Sequence, residues 1–420
     1  MLPSSHASWS LEDWLQYQQR LHPQGIALGL ERVQAVAARL GLLADPPRTI
    51  IIGGTNGKGS TTTLLAAIYR EAGYSVGAYT SPHLLRYNER ITINGQLATD
   101  EALCTAFSAI EQARAELSLT YFEFGTLAAL WLFSRPKLDV QVLEVGLGGR
   151  LDAVNIFDTD AALVTNIGLD HQDWLGSGRN AIGVEKAGIF RSGKPAICVD
   201  CAPPQGLLEA ATQRSVQLVR LDQDDFAYSS TATSWHWRGV QQSYHDLPLP
   251  GLAGAHQLAN AAGALTLVES LRGLLPVPEA AIRTALPSLK LSGRLEHRGR
   301  VLLDVAHNAE AAQVLANYLA TQFPGQRLHW IAGLLNDKPV EQIATVLAPH
   351  LAHAWTCSLP PPRGLTDTVL QQRLHAIGIS ATACGSAEQA YAAAVLAAPS
   401  NSPILVCGSF LTVAAIQAVL

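Results

Sequence analysis

A glycine-dense turn follows an apolar run near the start of the chain. Residues 49–63 read TIIIGGTNGKGSTTT: a β-branched stretch, a turn carrying Lys58, and the start of a helix. Backbone N–H groups at a helix N-terminus bind phosphate, and side chains larger than hydrogen block that approach. Lys58 would place a positive charge against the phosphates, while the hydroxyl of Ser60 suits Mg²⁺. The segment therefore predicts a strand, a phosphate-binding loop and a helix.

The spacing of this turn departs from the common phosphate-loop pattern G-x-x-x-x-G-K-[ST]. Only three residues separate Gly53 from Gly57, and Gly59 follows the lysine. An ordinary glycine-rich turn between a strand and a helix is the alternative interpretation. We favour nucleotide binding because the strand, the lysine, the hydroxyl and the helix occur together in this order.

Composition limits the class of protein. With 420 residues, of which 48% are hydrophobic and 15% charged, the chain has enough apolar material for two domains and no signature of disorder. Its net charge of −5 gives no electrostatic footprint for nucleic acid or an anionic membrane. We find neither a membrane-spanning stretch nor a signal peptide, so we expect a cytoplasmic protein. Without a coiled coil or an apolar interface stripe, we expect a monomer.

The order of apolar and helical segments predicts an α/β fold. From residue 48, short apolar strands alternate with helices, which predicts a parallel sheet with ligands at the carboxyl ends of its strands. Residues 216–250 differ and suggest a small β excursion. We expect a first domain over residues 1–288, a linker at 289–300, which loses periodicity and becomes basic, and a smaller Rossmann-like α/β domain over 301–420.

Several chemically capable side chains fall at predicted strand ends. Glu144 ends the strand LDVQVLE, where a carboxylate beside a phosphate loop could ligate Mg²⁺, although such a glutamate alone is weak evidence. Asp170 and His171 follow the strand AALVTNIGL. This histidine could bind a second divalent ion or position a phosphate, and a hydrogen-bonded loop histidine is the alternative.

Other candidates are less distinctive when judged from pattern alone. Lys186 lies on the predicted amphipathic helix AIGVEKAGIF, where it would point to solvent or pair with Glu185. Ser81 follows a strand in a loop that is an ordinary connection by default. Cys198 and Cys201 form C-x-x-C without a second ligand pair, so we interpret them as two unremarkable thiols.

The second α/β series carries its own polar group. Arg294 precedes the segment LLDVAHN, which places Asp304, His307 and Asn308 at the carboxyl end of a strand. These residues can reach a nucleotide held by the first domain only across a cleft. The sequence therefore implies a nucleotide bound between domains, with closure excluding water.

With these segments assembled, the chain resembles the folylpolyglutamate synthase and dihydrofolate synthase family, relatives of the Mur peptide ligases. The resemblance covers nearly the whole chain. Its motifs occur in family order: GGTNGKGS, TSPHL, LEVGLGGRLDAVN, DHQDWLG, EKAGI, GAHQLANA, SGRLE and LDVAHN. It implies a Mur-ligase-like P-loop domain followed by the smaller α/β domain.

The resemblance also implies roles for individual residues. The triphosphate cradle would comprise Thr55, Asn56, Gly57, Lys58 and Gly59. The metal ligands would be Ser60, Ser81, Glu144 and His171, serving two Mg²⁺ sites with K⁺ as a further candidate ion. Further nucleotide contacts would come from Asn260, Arg294, Asp304 and His307. Lys186 would be carbamylated and, with Lys58 and His171, catalytic, which replaces its solvent-exposed interpretation.

A second set of segments resembles the type of enzyme that has both dihydrofolate synthase and folylpolyglutamate synthase activity. IALGLERV and LTYFEFGTLAAL imply a dihydropteroate site. Its residues would be Ala27, Leu28, Thr120, Tyr121, Phe122, Glu123, Leu151, Asp152 and Ala153. Where relatives have an acidic residue at the position of Ala27, this chain has a methyl group, so contact there is limited to the backbone or that methyl.

The implied reaction is ATP-dependent ligation of L-glutamate to dihydropteroate and to reduced folates through an acyl phosphate. A folylpolyglutamate synthase with only the second activity is one alternative. A nucleotide-hydrolysing switch protein that ligates nothing is another, and a Mur-type ligase of cell-wall precursors is a third. The third lacks support because no room for a UDP-binding domain exists ahead of Ile50.

Overall fold

The chain divides into two compact units. The structure, a computed structural model, describes residues 8–222 and 224–420. The first unit contains the residues up to Gly168, together with Gln172–Gly251 and Gln257–Leu289. The second unit contains Leu169–His171, Leu252–His256 and Lys290–Leu420. The start of the chain that we examined for a signal peptide includes residues 1–7, which lie outside the described residues.

An eight-stranded sheet forms the centre of the first unit. Its strands are β1 (Arg48–Gly53), β2 (Val76–Tyr79), β3 (Ile91–Ile93), β4 (Gln96–Leu97), β5 (Val140–Glu144), β6 (Ala161–Val164), β7 (Ala196–Cys198) and β8 (Leu218–Arg220). The strand order is β4-β3-β2-β5-β1-β6-β7-β8. All neighbours from β2 to β8 pair in parallel, whereas β3 and β4 add an antiparallel edge. The expected parallel sheet is confirmed, and β8, which we had placed in the β excursion, belongs to it.

Helices precede, connect or follow these strands, and some of them pack on one another rather than on the sheet. They are α1 (Leu11–Leu21), α2 (Glu31–Arg39), α3 (Lys58–Glu71), α4 (Asp100–Arg114), α5 (Tyr121–Phe133), α6 (Gln172–Leu175), α7 (Arg179–Ala187), α8 (Gln205–Gln213), α9 (His256–Ser270) and α10 (Glu279–Ser288). Ser10 caps α1 by accepting a hydrogen bond from the backbone N–H of Asp13, as its position before the apolar pattern predicts. Within the described residues, no helix is both long and apolar enough to cross a bilayer.

The β excursion is a separate three-stranded antiparallel sheet. It comprises β9 (Ala227–Ser230), β10 (Ser234–Arg238) and β11 (Ser243–Pro248) in the order β11-β10-β9. Alternation in SWHWR buries Trp235 and Trp237 on one face. Glu269 of α9 accepts hydrogen bonds from the backbone N–H groups of residues 240–242, which fixes the turn between β10 and β11.

The second unit contains a six-stranded sheet with helices between its strands. The strands are β12 (Glu296–Arg298), β13 (Val301–Leu303), β14 (Leu328–Ala332), β15 (Leu351–Thr356), β16 (Ala381–Ala383) and β17 (Ile404–Cys407). The helices are α11 (Ala309–Gln322), α12 (Val340–Leu347), α13 (Asp367–Ala376), α14 (Ala387–Ala397) and α15 (Phe410–Gln417). The order is β12-β13-β17-β14-β15-β16, and every pair except β12 with β13 is parallel. A second α/β unit is therefore confirmed.

Part of the segment that we expected to be a linker is a strand. Glu296–Arg298 pairs antiparallel with Val301–Leu303. Gly299 lies at the turn with a φ of +59°, a conformation that glycine adopts without the strain a Cβ would add. A three-residue strand is too short for its alternation to be read from the sequence. The basic composition of the segment is also typical of a solvated linker, so the strand was not predicted.

Candidate functional site

The turn between β1 and α3 has the geometry of a phosphate loop. Its backbone leaves β1 at Gly53 and enters α3 at Lys58. Gly57 has a φ of +85°, and a Cβ built there would lie 2.7 Å from Oδ1 of Asn260. Only glycine fits both constraints. The structure thereby brings Asn260 of α9, a predicted site residue, against the loop.

A segment that sequence reasoning did not select holds this loop in place. Residues 165–168 follow β6, the neighbour of β1 in the sheet. Asn166 accepts hydrogen bonds from the backbone N–H of Thr55, through its carbonyl at 2.8 Å, and of Asn56, through Oδ1 at 2.7 Å. Oγ1 of Thr55 accepts a bond from the N–H of Gly168 at 2.9 Å. The position of residues 165–168, directly after a strand that pairs in parallel with β1, was the sequence signal that could have identified this segment.

Lys58 and Ser60 lie in the first turn of α3. Nζ of Lys58 donates hydrogen bonds to the carbonyl oxygens of Gly54 and Thr55, both at 3.1 Å, so the ammonium group lies over the loop. Ser60 is buried. The positive end of the helix dipole and the lysine charge therefore coincide, which favours an anion at this point.

Glu144 ends β5 and is only 3% exposed. Its Oε2 accepts a hydrogen bond of 2.9 Å from the backbone N–H of Ser81. A Cβ on Gly59 would lie 3.5 Å from the same oxygen, so the carboxylate is beside the start of α3. Gly59, Ser81 and Glu144 are thus brought together; Glu144 was selected for its strand-end position, whereas Ser81 was grouped with it only by the family resemblance.

This donor set fits a hard divalent cation. A buried carboxylate and nearby hydroxyl groups supply oxygen ligands, which Mg²⁺ prefers. Within residues 8–222 and 224–420, no three His, Cys, Asp or Glu side chains gather as a metal cluster. An ion bound here would complete its shell with phosphate oxygens and water, which is how Mg²⁺ is usually held in nucleotide sites.

Lys186 of α7 is buried, with 3% of its surface exposed. The solvent-exposed position predicted from pattern alone is wrong. Gly149 allows the loop before it to approach the helix, since a Cβ there would lie 3.2 Å from Cα of Lys186. Glu185, the other partner considered for Lys186, instead forms an ion pair of 2.8 Å with Arg150.

The segments predicted to hold the pterin meet within the first unit. Nη2 of Arg32 donates to the carbonyl of Ala27 at 2.8 Å and to Oε1 of Glu123 at 2.9 Å. The other oxygen of Glu123 accepts bonds from the backbone N–H and the hydroxyl of Thr120 at the start of α5. Arg32, which we did not select, therefore joins two predicted binding segments; Leu28 beside them is half-buried.

The loop after β5 completes this group. The carbonyl of Leu151 accepts a bond from the N–H of Gly29 at 3.4 Å, and Ala153 is buried. Asp152 is buried and accepts bonds from the backbone N–H groups of Leu147 and Val154. Burial raises the pKa of Asp152 to about 7, and these hydrogen bonds only partly oppose that effect. This carboxyl group therefore exchanges its proton near neutral pH.

Aromatic residues of α5 line the neighbouring interior. The ring of Phe122 occupies the space beside Gly146. The ring of Tyr121 packs against Tyr87, and the guanidinium of Arg90 lies 5.5 Å from the centre of the Tyr121 ring. Nε of Arg90 also donates to Nδ1 of His83 at 2.8 Å, and burial followed by this positive charge lowers the pKa of His83 to about 4.

Asp170 contacts several polar and positively charged side chains of the second unit. Its Oδ1 forms an ion pair of 2.7 Å with Lys338, and its Oδ2 accepts a bond of 3.3 Å from Asn308. Burial acts to raise the pKa of Asp170, but a hydrogen bond from His307 and nearby positive charges hold that pKa well below its usual range. The adjacent His171 has a φ of +50°, and its N–H donates to Oδ1 of Asp170.

Arg294 and Asp304 are also neighbours in this unit. Asp304 follows β13 and accepts bonds from the N–H groups of Leu295 and Ala306 at 2.9 and 2.8 Å. Burial raises the pKa of Asp304, and the charge of Arg294 acts in the opposite direction. The guanidinium of Arg294 lies 5.5 Å from the ring centre of Phe410, where His307 also packs.

Sequence comparison assigns the chain to a protein family. Residues 52–268 match the Mur ligase middle domain, and residues 293–410 match the Mur ligase glutamate ligase domain. The dihydrofolate synthase/folylpolyglutamate synthase of Escherichia coli strain K12 is 44% identical over 419 residues, which are 99% of this chain and 96% of that protein. The chain belongs to this family of Mur ligases. The family predicted from the motifs is confirmed.

Solved structures agree with that assignment. Escherichia coli FolC in complex with DHPP and ADP superposes with a TM-score of 0.91 at 43% identity, covering 98% of each chain. A bifunctional folylpolyglutamate synthase/dihydrofolate synthase with Mn, AMPPNP and L-glutamate bound gives 0.90 at 42% identity, again covering 98% of each chain. The predicted fold class, a Mur-ligase-like α/β unit with a smaller α/β unit, is confirmed.

We predict that Asp152→Asn reduces the pH dependence of stability. Because folding raises this acid's pKa from an ordinary value of about 4 to about 7, the folded state keeps a proton that the unfolded chain releases. The contribution of Asp152 to stability is therefore full below pH 4 and is lost as pH rises to 7, by on the order of 4 kcal/mol. Urea unfolding from pH 4.5 to 8 should show a shallower fall in the variant.

The control for this prediction is Asp45→Asn, which alters an exposed carboxylate. It should retain the wild-type dependence on pH. Asparagine cannot accept both hydrogen bonds that Asp152 accepts, so a constant loss of stability at every pH is expected and is not the measured quantity. Equal pH dependence in Asp152→Asn and the wild type would contradict the assignment.

Proposed function

We propose that the protein is a bifunctional ATP-dependent ligase. It joins L-glutamate to dihydropteroate, forming dihydrofolate, and to reduced folates, forming folylpolyglutamates. The observation that carries the proposal is the phosphate loop with Lys58 over it and the carboxylate of Glu144 beside α3. Full-length similarity to proteins named for both activities supports it.

The chemistry requires activation of a carboxylate, whose oxygen is a poor leaving group. A carboxylate oxygen of the acceptor attacks the γ phosphorus of ATP, the bond to the β-γ bridging oxygen breaks, and ADP leaves. The neutral amine of glutamate then attacks the acyl phosphate carbonyl. Phosphate leaves, the amine nitrogen loses a proton, and the amide remains. Proximity of reactants is worth about 7 to 11 kcal/mol, against about 3 to 4 for one electrostatic contact.

Nucleotide binding is assigned to the phosphate loop, comprising Thr55 to Ser60, in which Lys58 would meet the charge spreading over the transferred phosphoryl group. The adjacency of Asn260 to Gly57 supports its inclusion. We also assign Arg294, Asp304 and His307 to the nucleotide. The first domain in this proposal spans residues 1–288 and the glutamate ligase domain spans 301–420; of the segment 289–300 expected to link them, residues 296–298 form β12 and pair with β13.

A divalent metal is part of the proposal because related structures contain Mn with AMPPNP. We take Mg²⁺ as the ion, at two sites, with Ser60, Ser81, Glu144 and His171 as ligands. When bound, it neutralises phosphate charge during transfer. K⁺ stays a further candidate ion. The protein is proposed to act as a cytoplasmic monomer on small-molecule substrates.

The acceptor would bind at the segments joined by Arg32. Contacts are assigned to Ala27, Leu28, Thr120, Tyr121, Phe122, Glu123, Leu151, Asp152 and Ala153. Their clustering in one unit, with a buried carboxyl group titrating near pH 7, supports a pocket for a flat heterocycle with hydrogen-bonding edges.

Lys186 is proposed to be carbamylated. Its burial in α7 favours this, because a buried amine loses its charge more readily than an exposed one and then reacts with carbon dioxide. The added carboxylate converts a cation into an anion. That change would attract Mg²⁺ or orient a phosphate, whereas an ammonium group would repel the metal.

One assay tests the proposed function. Purified protein receives ATP, Mg²⁺ and glutamate with either dihydropteroate or a reduced folate, and products are identified by mass. We expect a mass increase of one glutamyl residue with both acceptors. Extension of the folate alone would indicate the monofunctional enzyme. ADP formed equally fast without acceptor and glutamate would indicate a nucleotide hydrolase and refute the ligase.

We predict that Lys186→Ala lowers kcat roughly 100-fold and changes KM for ATP little, because a transition-state contact is lost. A small carboxylic acid added to the assay should restore part of the activity by replacing the carbamyl group. Lys194→Ala, which removes a half-exposed lysine in the loop after α7, is the matched control and should resemble the wild type. Unchanged kcat in Lys186→Ala would remove this assignment.

We predict that Arg32→Gln raises KM for dihydropteroate about tenfold, because two acceptor segments lose their common charged donor. KM for ATP should stay within twofold. Arg39→Gln is the control: Arg39 also lies on α2 and donates to backbone carbonyls, those of Ala113 and Arg114. A rise in both KM values, or in neither, would show that Arg32 does not act on the acceptor.

A further inference from the structure

The loop that receives phosphate is held by a segment with no regular secondary structure. Residues 165–168 lie between β6 and α6 and contact Thr55 and Asn56 through several hydrogen bonds, one of which runs from Oγ1 of Thr55 to the carbonyl of Gly168 at 3.3 Å. Two others come from the backbone N–H groups of Thr55 and Asn56 to Asn166. Another joins the N–H of Gly168 to Oγ1 of Thr55, and a further one joins Oγ1 of Thr165 to the carbonyl of Asn56 at 2.6 Å. Any movement of this segment would move the phosphate loop.

An ion pair between Asp200 and Arg179 binds both backbone groups of Ile167, in the middle of this segment. Oδ2 of Asp200 accepts a hydrogen bond of 2.8 Å from the N–H of Ile167. Nε of Arg179 donates to the carbonyl of the same residue at 2.6 Å. Nη2 of Arg179 donates to Oδ2 of Asp200 at 2.8 Å, which closes the ring of contacts. Both backbone groups of Ile167 are thus bound to charged partners.

Neighbouring elements fix this ion pair in turn. Asp200 lies just after β7, its other oxygen accepts the N–H of Ala202 at 2.9 Å, and its side chain is only 8% exposed. Arg179 is the first residue of α7 and also donates to the carbonyl of Ala202. Charged hydrogen bonds in a largely buried setting are among the stronger ones.

We propose that Asp200 and Arg179 are positioning residues for nucleotide binding, acting through residues 165–168 on the phosphate loop. This inference rests on the proposed function, since it assumes that Thr55 and Asn56 receive the nucleotide. Neither side chain touches the loop itself. Their effect is to hold the backbone of Ile167, and therefore the flanking Asn166 and Gly168, which fix Thr55 and Asn56 so that the N–H groups that follow at the start of α3 stay aligned.

The chain offers a matched control at the opposite end of β1. Asp160 accepts the backbone N–H of Thr49 at 2.9 Å and forms an ion pair of 3.2 Å with Arg48, so its contacts resemble those of Asp200. Its side chain is 12% exposed. Thr49 lies at the start of β1, whereas the phosphate loop follows its end. Removing Asp160 therefore tests the cost of losing a buried carboxylate without disturbing the loop.

The experiment measures the Kd of ADP by isothermal titration calorimetry for wild type, Asp200→Ala and Asp160→Ala, with the thermal midpoint recorded for each. We expect both variants to lose stability, while only Asp200→Ala raises the Kd of ADP, by roughly tenfold. In steady-state assays, KM for ATP should rise in Asp200→Ala with KM for dihydropteroate within twofold of wild type. Arg179→Lys should lie between wild type and Arg179→Ala, because an ammonium group replaces part of the guanidinium contacts.

The outcomes separate this inference from the proposed function. Wild-type protein that binds ADP, together with equal Kd values in folded Asp200→Ala and Asp160→Ala, would overturn the inference alone. Wild-type protein that fails to bind ADP would overturn the proposed function and the inference with it. A parallel rise in the KM of ATP and of dihydropteroate would show a general structural defect and would also overturn the positioning role.

Discussion

The turn between β1 and α3 must hold one conformation so that the N–H groups at the start of α3 can face a ligand, and much of the first unit follows from that requirement. A loop with glycine at positions 53, 54, 57 and 59 has few side chains to stabilise it. Its conformation therefore depends on neighbours. Asn260 packs against Gly57, residues 165–168 bind Thr55 and Asn56, and Lys58 folds back over the loop carbonyls. These neighbours fix the glycine-rich loop in one conformation before a ligand arrives, so a segment that would be flexible alone can bind an anion.

Parallel strand order explains why these neighbours are available. Strand β1 lies between β5 and β6, so the residues after all three strands emerge at one edge of the sheet. That edge receives the phosphate loop, Glu144 and residues 165–168. Ligand sites in such sheets form where the connections leave in different directions, and strand order alone brings these three groups together.

The sequence was sufficient for the groups that have a recognisable chemical signature. The phosphate loop, Glu144 at its strand end and the two α/β series were all predictable from residue type and spacing, whereas Ser8 and Ser10 were equally possible caps of α1. Lys186 was not, because its burial depends on Gly149 allowing a distant loop to approach α7. Residues 165–168 were missed because many of their contacts with the loop use backbone groups, which every residue possesses, and their threonine and asparagine side chains are common in ordinary loops. Strand β12 was missed because three residues carry too little alternation to distinguish a strand from a linker.

Three carboxylates that are wholly or partly buried show why residue type alone does not give charge. Asp152 and Asp304 both follow strands or loops of the sheets and accept backbone N–H bonds, yet burial still raises the pKa of each. Asp170 is partly buried, but the hydrogen bond from His307 and the charges of His171 and Lys338 lower its pKa. At Asp152 and Asp304 the backbone hydrogen bonds and a neighbouring positive charge offset only part of the cost of desolvation, whereas the hydrogen bond from His307 and several positive charges together more than offset it at Asp170. Asp170 therefore carries a fixed negative charge beside His171, while Asp152 presents a carboxyl group that can donate or accept a proton at neutral pH. A pocket for a heterocycle with both donors and acceptors on its edge needs a carboxyl group like that of Asp152. The strained His171 is instead held beside a permanent negative charge, which Asp170 supplies.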